Sequence, residues 1–176
     1  MALSVLFVVN SWPSKIAPDL GVFNQRQVES VSAHLSEHRV YFINGRLKGP
    51  KAYIIAVFDL LKIFKNHNFD VVHVMHGYSI LPVAALSCFF KFRRIVLSLQ
   101  NPLFKEFMGN RPYLNRLSIL LLKVIVKKLN VVIIYKDQDH DVYRLNLVHS
   151  RDIYHLPNGI NSEMFKNLTR HLCRNK

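Results

Sequence analysis

The sequence predicts a doubly wound α/β fold, a parallel sheet with helices on both faces, and three observations carry that reading. Short apolar, β-branched runs alternate with longer stretches of helical length. Several runs are apolar at nearly every position, as strands covered on both faces must be. Turn residues stand at the joints between the two kinds of segment. Strand, helix, strand, repeated five times, makes a parallel sheet whose crossovers are helices.

In chain order the predicted strands are 3–9, 39–43, 70–75, 95–99, 131–135 and 153–156. The predicted crossover helices are 23–37, 51–66, 78–90, 113–129 and 137–148. Asn24, following Gly21, is placed to cap the first helix. Asn44 with Gly45, then Gly49 with Pro50, make a turn before the second helix, and Asn66, His67 and Asn68 close it. One domain is expected over residues 1–165, with 166–176 a patternless tail that begins a linker.

The chain has 176 residues, half of them hydrophobic, which suits one domain with a sizeable core. Charged residues make up 20%, and no low-complexity tract is present, which argues against disorder. The formal net charge is +13, an excess that attracts anionic surfaces and phosphorylated ligands. It is concentrated in residues 87–129, where nine basic residues meet a single acid, Glu106. Nucleic acid would also answer such a charge, but no recognition helix, aromatic RNA-binding motif or zinc spacing supports it. The two cysteines, Cys88 and Cys173, make neither a disulfide framework nor a metal site, and a reducing compartment is expected. No uncharged run reaches the roughly 18–20 residues that span a bilayer.

Within the basic segment, Arg116, Lys123 and Lys127 fall within about 20° of one line on a helix. Lys91, Arg93 and Arg94 interleave with Phe89, Phe90 and Phe92, and Lys128 follows Lys127. These seven cations are candidates for a patch on an anionic membrane surface. The competing reading is a core helix with a solvated stripe and phenylalanines buried in the core.

In a doubly wound fold, ligands gather at the carboxyl ends of the strands. After the first strand comes a long loop ending in Gly21, Val22, Phe23 and Asn24, where a glycine before a helix lets backbone N–H groups approach a phosphate or a sugar. A plain turn is the alternative. After the third strand come His76 and Gly77, and after the fourth Gln100 and Asn101. His73 and His76 point to opposite faces of a strand and cannot share a metal, so no metal is expected and His73 is read as packed or on the surface. Near the end stand Pro157, Asn158, Gly159, Ile160 and Asn161, followed by Phe165.

Taken in order, these pieces resemble the family 4 glycosyltransferases. The marks are the Gly-x-Phe loop running into Gln27, Val28, Glu29 and Ser30, the run from Asp70 to Gly77, and the turn at Asn158 and Gly159. The resemblance implies the GT-B fold, of which this chain would be the Rossmann-like N-terminal, acceptor-side domain. It implies a retaining, metal-free transfer from a nucleotide-sugar donor to a glycan or lipid-linked acceptor, with no resident cofactor. Gly21, Val22 and Asn24 would then form the donor-phosphate loop. His76, Gly77, Gln100 and Asn101 would form the acceptor wall. Asn158 and Gly159 would mark the domain junction. Gln100 and Asn101 depart from the family's usual histidine at that place. The family's donor-binding domain has no counterpart in these 176 residues. The chain alone is therefore expected to be inactive, in the cytoplasm or on the inner face of a membrane, in cell-surface polysaccharide or glycolipid assembly. A subunit of a split enzyme and a non-catalytic binding module are the alternatives.

Overall fold

The computed structural model describes residues 3–99, 120, 125–135 and 152–155. Six strands form one sheet: β1 (Ser4–Val9), β2 (Glu37–Phe42), β3 (Val71–Met75), β4 (Ile95–Leu99), β5 (Val131–Ile134) and β6 (Asp152–His155). Their order is β2-β1-β3-β4-β5-β6, and every neighbouring pair is parallel. The helices are α1 (Val22–Ser32), the single turn α2 (Gly45–Lys48), α3 (Lys51–Asn66) and α4 (Ile80–Leu86).

Alternation along β1 sends its side chains to two cores. Leu6 and Val8 join Val72 and Val74 of β3 beneath α3 and α4. Val5, Phe7 and Val9 join Met75 and Val28 of α1 on the other face. No side chain from Val5 to Val9 keeps more than 5% of its surface. On α3 the buried positions are Ala52, Ala56, Leu60 and Phe64, a stripe at helical spacing laid on the sheet. Ile125, Val126 and Leu129 extend the same core ahead of β5. The edge strand β2 is exposed over its first half, where Glu37, His38 and Arg39 replace apolar residues.

Helices on both faces of a six-stranded parallel sheet match the sequence expectation. Several boundaries differ. α1 ends at Ser32 rather than 37, since the N–H groups of His34 and Leu35 bond back to Val31 and Ser32 and that of Ser36 reaches Leu3. α4 ends at Leu86 rather than 90, where Ser87 closes it and the Lys128 ammonium donates to the Ser87 carbonyl. The predicted helix 137–148, most of 113–129 and the tail 166–176 lie outside the described residues. No described helix is long and apolar enough to cross a membrane.

The packing of α3 gives the first prediction. Leu60 is fully buried and Phe58 is 60% exposed on the same helix. Leu60→Ala should cost about 2–5 kcal/mol in urea unfolding, whereas Phe58→Ser should stay within about 0.5 kcal/mol. Equal losses for the two would mean that α3 is rotated about its axis.

Candidate functional site

The chain leaves β1 toward β2 through α1 on one face, then crosses back over β1 to β3 through α3 on the other. Between β1 and β3 the connections therefore part in opposite directions, which opens a crevice at the carboxyl ends of these two strands. The described residues that directly follow β1, β3 and β5 stand at that same edge of the sheet.

The loop after β1 is fastened to the start of α1. Gly21 is the residue preceding the helix, with φ 77°, a conformation that glycine adopts without strain. A Cβ at Gly21 would stand 2.4 Å from the Ser11 carbonyl carbon, so the absent side chain makes room for the loop. Asn24 is not the cap that the sequence suggested. It lies inside the first turn, 1% exposed, and its Nδ2 donates to the Ser11 carbonyl at 3.0 Å and to Ser11 Oγ at 2.9 Å. Its amide serves the loop because the loop folds back over the helix start. The first helical bond is Gln25 N to Gly21 O, so the preceding N–H groups stand at the positive end of the helix dipole.

α1 also reaches across to β5. Gln27 Nε2 donates to the Tyr135 hydroxyl, and Phe23 meets the Tyr135 ring edge-on at 6.0 Å. Gln27 Oε1 is buried without a partner among the described residues. A buried acceptor of that kind favours a donor hydroxyl or a water beside it.

β3 ends in a strained residue. His76 has φ 128°, the one positive φ outside glycine among the described residues, and is 8% exposed. Its N–H donates to the Ser98 carbonyl at 3.1 Å, continuing the ladder toward β4, and its own carbonyl accepts from Ser79 N at 3.2 Å. The imidazole stacks on Tyr78 with ring centroids 6.1 Å apart, and Nδ1 accepts a long bond from Tyr78 N. Tyr78 in turn meets Tyr53 of α3, whose hydroxyl end lies against Gly45. Strain of this kind persists where surrounding bonds over-determine it, and it clusters at functional positions.

His73 is a different case. It lies on the α1 face, with Nε2 2.6 Å from Ser98 Oγ and its ring 5.4 Å from Phe7. The residue keeps some accessible surface, yet its imidazole is enclosed, and burial pushes its pKa down to about 4. It is a packed residue, one of the two readings the sequence left for it.

Gly21, Val22, Asn24, His76 and Gly77 thus share one edge, while Gln100, Asn101, Asn158 and Gly159 lie outside the described residues. Of the seven basic candidates, Arg116 and Lys123 also lie outside them. Lys91, Arg93, Arg94, Lys127 and Lys128 are exposed before β4 and β5, at the opposite, amino edge of the sheet. Arg93 pairs with Asp70 there. The Asp70 carboxylate accepts from Ser4 N and Oγ and from Arg93, contacts that hold its pKa below the usual carboxylate range. Phe90 and Phe92 pack on Phe64, whereas Phe89 is 83% exposed. Two cavities, of about 430 and 280 Å³, open at this amino edge around Phe90, Lys91 and Phe92. Among the described residues no three His, Cys, Asp or Glu side chains stand close enough to hold a metal. Sequence reasoning missed Ser11, Gln27 and Tyr135. Tyr135 was within reach of the rule used for His76, since it directly follows β5.

Two predictions follow from these histidines. At position 76 glycine should be more stable than alanine by about 1 kcal/mol, because only glycine relieves the positive φ. Thermal unfolding of His76→Gly and His76→Ala measures this, and alanine equal to glycine would refute the strain. His73 titrates near 4 when folded and near 6.5 when unfolded, so the unfolded chain binds the extra proton between those values. Its contribution is complete above pH 6.5 and lost as pH falls toward 4. Stability should therefore drop more steeply from pH 7 to 5 in the native protein than in His73→Gln, and parallel slopes would contradict it.

The family model for glycosyltransferase family 4 matches residues 12–164, which include the loop after β1, α1, and the β3 end with His76. No curated protein matches the chain. With that match over most of its length, and a six-stranded parallel sheet bearing helices on both faces, the chain belongs to glycosyltransferase family 4 as the N-terminal domain of a GT-B fold.

Proposed function

We propose that this domain is the acceptor side of a retaining glycosyltransferase that takes its sugar from a nucleotide donor. The observation that carries the reading is His76, held at φ 128° at the carboxyl end of β3, the edge of the sheet at which α1 begins with Gly21. An imidazole fixed there by backbone bonds can hydrogen-bond an acceptor hydroxyl and hold it at the reacting carbon, the positioning that such a transfer needs. The N-terminus of α1, with Gly21 and Val22, supplies N–H groups and a positive dipole end for the donor diphosphate. Asn24 contributes by holding the loop after β1 against that terminus. Gly77 belongs to the same proposed acceptor wall; Gln100 and Asn101, which the family resemblance adds to it, and the junction residues Asn158 and Gly159 lie outside the described residues.

Most of the stabilisation of the departing diphosphate belongs to that second domain, in whichever chain it lies. The acceptor class favoured by the net charge of +13 is a phosphorylated or lipid-linked glycan, assembled on the cytoplasmic face of a membrane.

The test is transfer and hydrolysis with several nucleotide sugars, using the purified 176-residue chain. We expect no multiple turnover, since a crevice without the donor pocket cannot bind the transition state. Activity should appear on adding a family 4 donor domain and fall by about 10²-fold or more in His76→Ala, the range for a positioned catalytic hydrogen bond. Robust turnover by the chain alone would place the donor site within it and overturn the division of labour.

A further inference from the structure

The outer face of α3 is apolar in the middle and cationic at both ends. Ile54, Ile55 and Phe58 are exposed there, Phe58 at 60% and Ile54 at 62%. Lys51 precedes this trio by one turn, Lys62 and Lys65 follow it, and all three lysines are exposed. At 100° per residue the six side chains share a sector of about 100°. Asp59 is the one acid in the helix; it falls outside the sector, and its carboxylate accepts a bond from the Tyr41 hydroxyl at 2.9 Å. Single exposed apolar residues are ordinary on a protein surface, but three on adjacent turns of one face form a patch.

We propose that this face of α3 docks on an anionic lipid bilayer. Ile54, Ile55 and Phe58 enter the boundary between headgroups and acyl chains, and Lys51, Lys62 and Lys65 reach the lipid phosphates. Lysines at the ends of an apolar strip suit a planar anionic surface, because their long stems lie along the apolar phase while the ammonium groups stay at the headgroups. A second cationic region lies past the C-terminal end of α3. Phe64, on the inner side of its last turn, packs on Phe90 and Phe92, near the exposed Phe89, Lys91 and Arg94 in sequence. The sequence pointed to that second region as the membrane patch; the structure assigns the leading role to α3. A crossover helix runs antiparallel to the strands it joins, so α3 lying on a bilayer turns the carboxyl-edge crevice along the membrane plane. The inference stands independently of sugar transfer, and vesicles without donor or acceptor test it alone.

The experiment is co-sedimentation of the full chain with vesicles of phosphatidylglycerol and phosphatidylcholine, against phosphatidylcholine alone, across a salt series. Binding is expected to the anionic vesicles and to weaken with salt, by about fivefold for each lysine screened. Ile54→Ser with Phe58→Ser should lower the partition coefficient at least about tenfold, and Lys62→Glu with Lys65→Glu should do the same. A reporter that keeps the apolar surface is Phe58→Trp in a Trp12→Phe background, which brominated lipid should quench. No binding at low salt, equal binding to neutral vesicles, or an unquenched reporter would overturn the proposal. So would binding lost in Lys91→Glu with Arg94→Glu but retained in both α3 variants. Self-association abolished by the apolar variant, without vesicle binding, would assign the face to a second copy of the chain and overturn it as well.

Discussion

β1 is walled in on both faces and hydrogen-bonded along both edges, by β2 on one side and β3 on the other. A strand so enclosed must be apolar throughout, and Val5, Leu6, Phe7, Val8 and Val9 are. Its two neighbours are reached by connections on opposite faces, so the chain has to part above it. That parting is the crevice. At the amino end, Asp70 fixes the pairing of β1 with β3 by accepting from Ser4 N and Oγ while its own N–H reaches the Ser4 carbonyl. Register is thereby set at one edge, and the loops at the other inherit their positions from it.

The polar chemistry of the crevice follows from how those loops are tied. Gly21 gives up a side chain so that the Ser11 carbonyl can approach, and Asn24 bonds that same carbonyl. Tyr135 brings the end of β5 into contact with α1 through Gln27 and Phe23. His76 is held in an unfavourable backbone conformation by bonds to Ser98 and Ser79. Rigid strands thus bring backbone N–H groups and an imidazole from separate elements to one edge of the sheet, with the Asn24 amide spent on holding the loop.

The fold was legible in the sequence to the extent that local pattern determined it. Residues 51–66 and 95–99 were bounded as the structure bounds them, since their ends carry local turn signals and their apolar pattern is unbroken. Overruns came where a distant residue ends the element: α4 stops where Lys128 bonds Ser87, 41 positions away. Asn24 misled for the same reason, as its partner Ser11 is 13 residues upstream and no cap pattern reveals that. Of the candidate site, Gly21 and His76 were singled out by their place after a strand or before a helix, while the strain at His76 was invisible. The outer face of α3 was equally hidden. Ile54, Ile55 and Phe58 look like core residues until burial shows that Ala52, Ala56 and Leu60 occupy the inner face instead.

The two edges of the sheet make rival claims on an anionic ligand. The amino edge has cavities of about 430 and 280 Å³ and the exposed lysines, among them Lys91 and Lys128. The carboxyl edge has the N-terminus of α1, the strained His76 and the Gln27 oxygen, which has no partner among the described residues. Bulk charge attracts from a distance and is screened by salt, whereas oriented N–H groups in a crevice hold their ligand at short range. Amide chemical-shift mapping of a nucleoside diphosphate at high salt separates them most directly. The shifts are expected to gather at Ser11, Gly21, Val22, Phe23, His76 and Gly77. Shifts gathered at Ser87, Lys91 and Lys128 instead, with the carboxyl edge silent, would contradict that expectation.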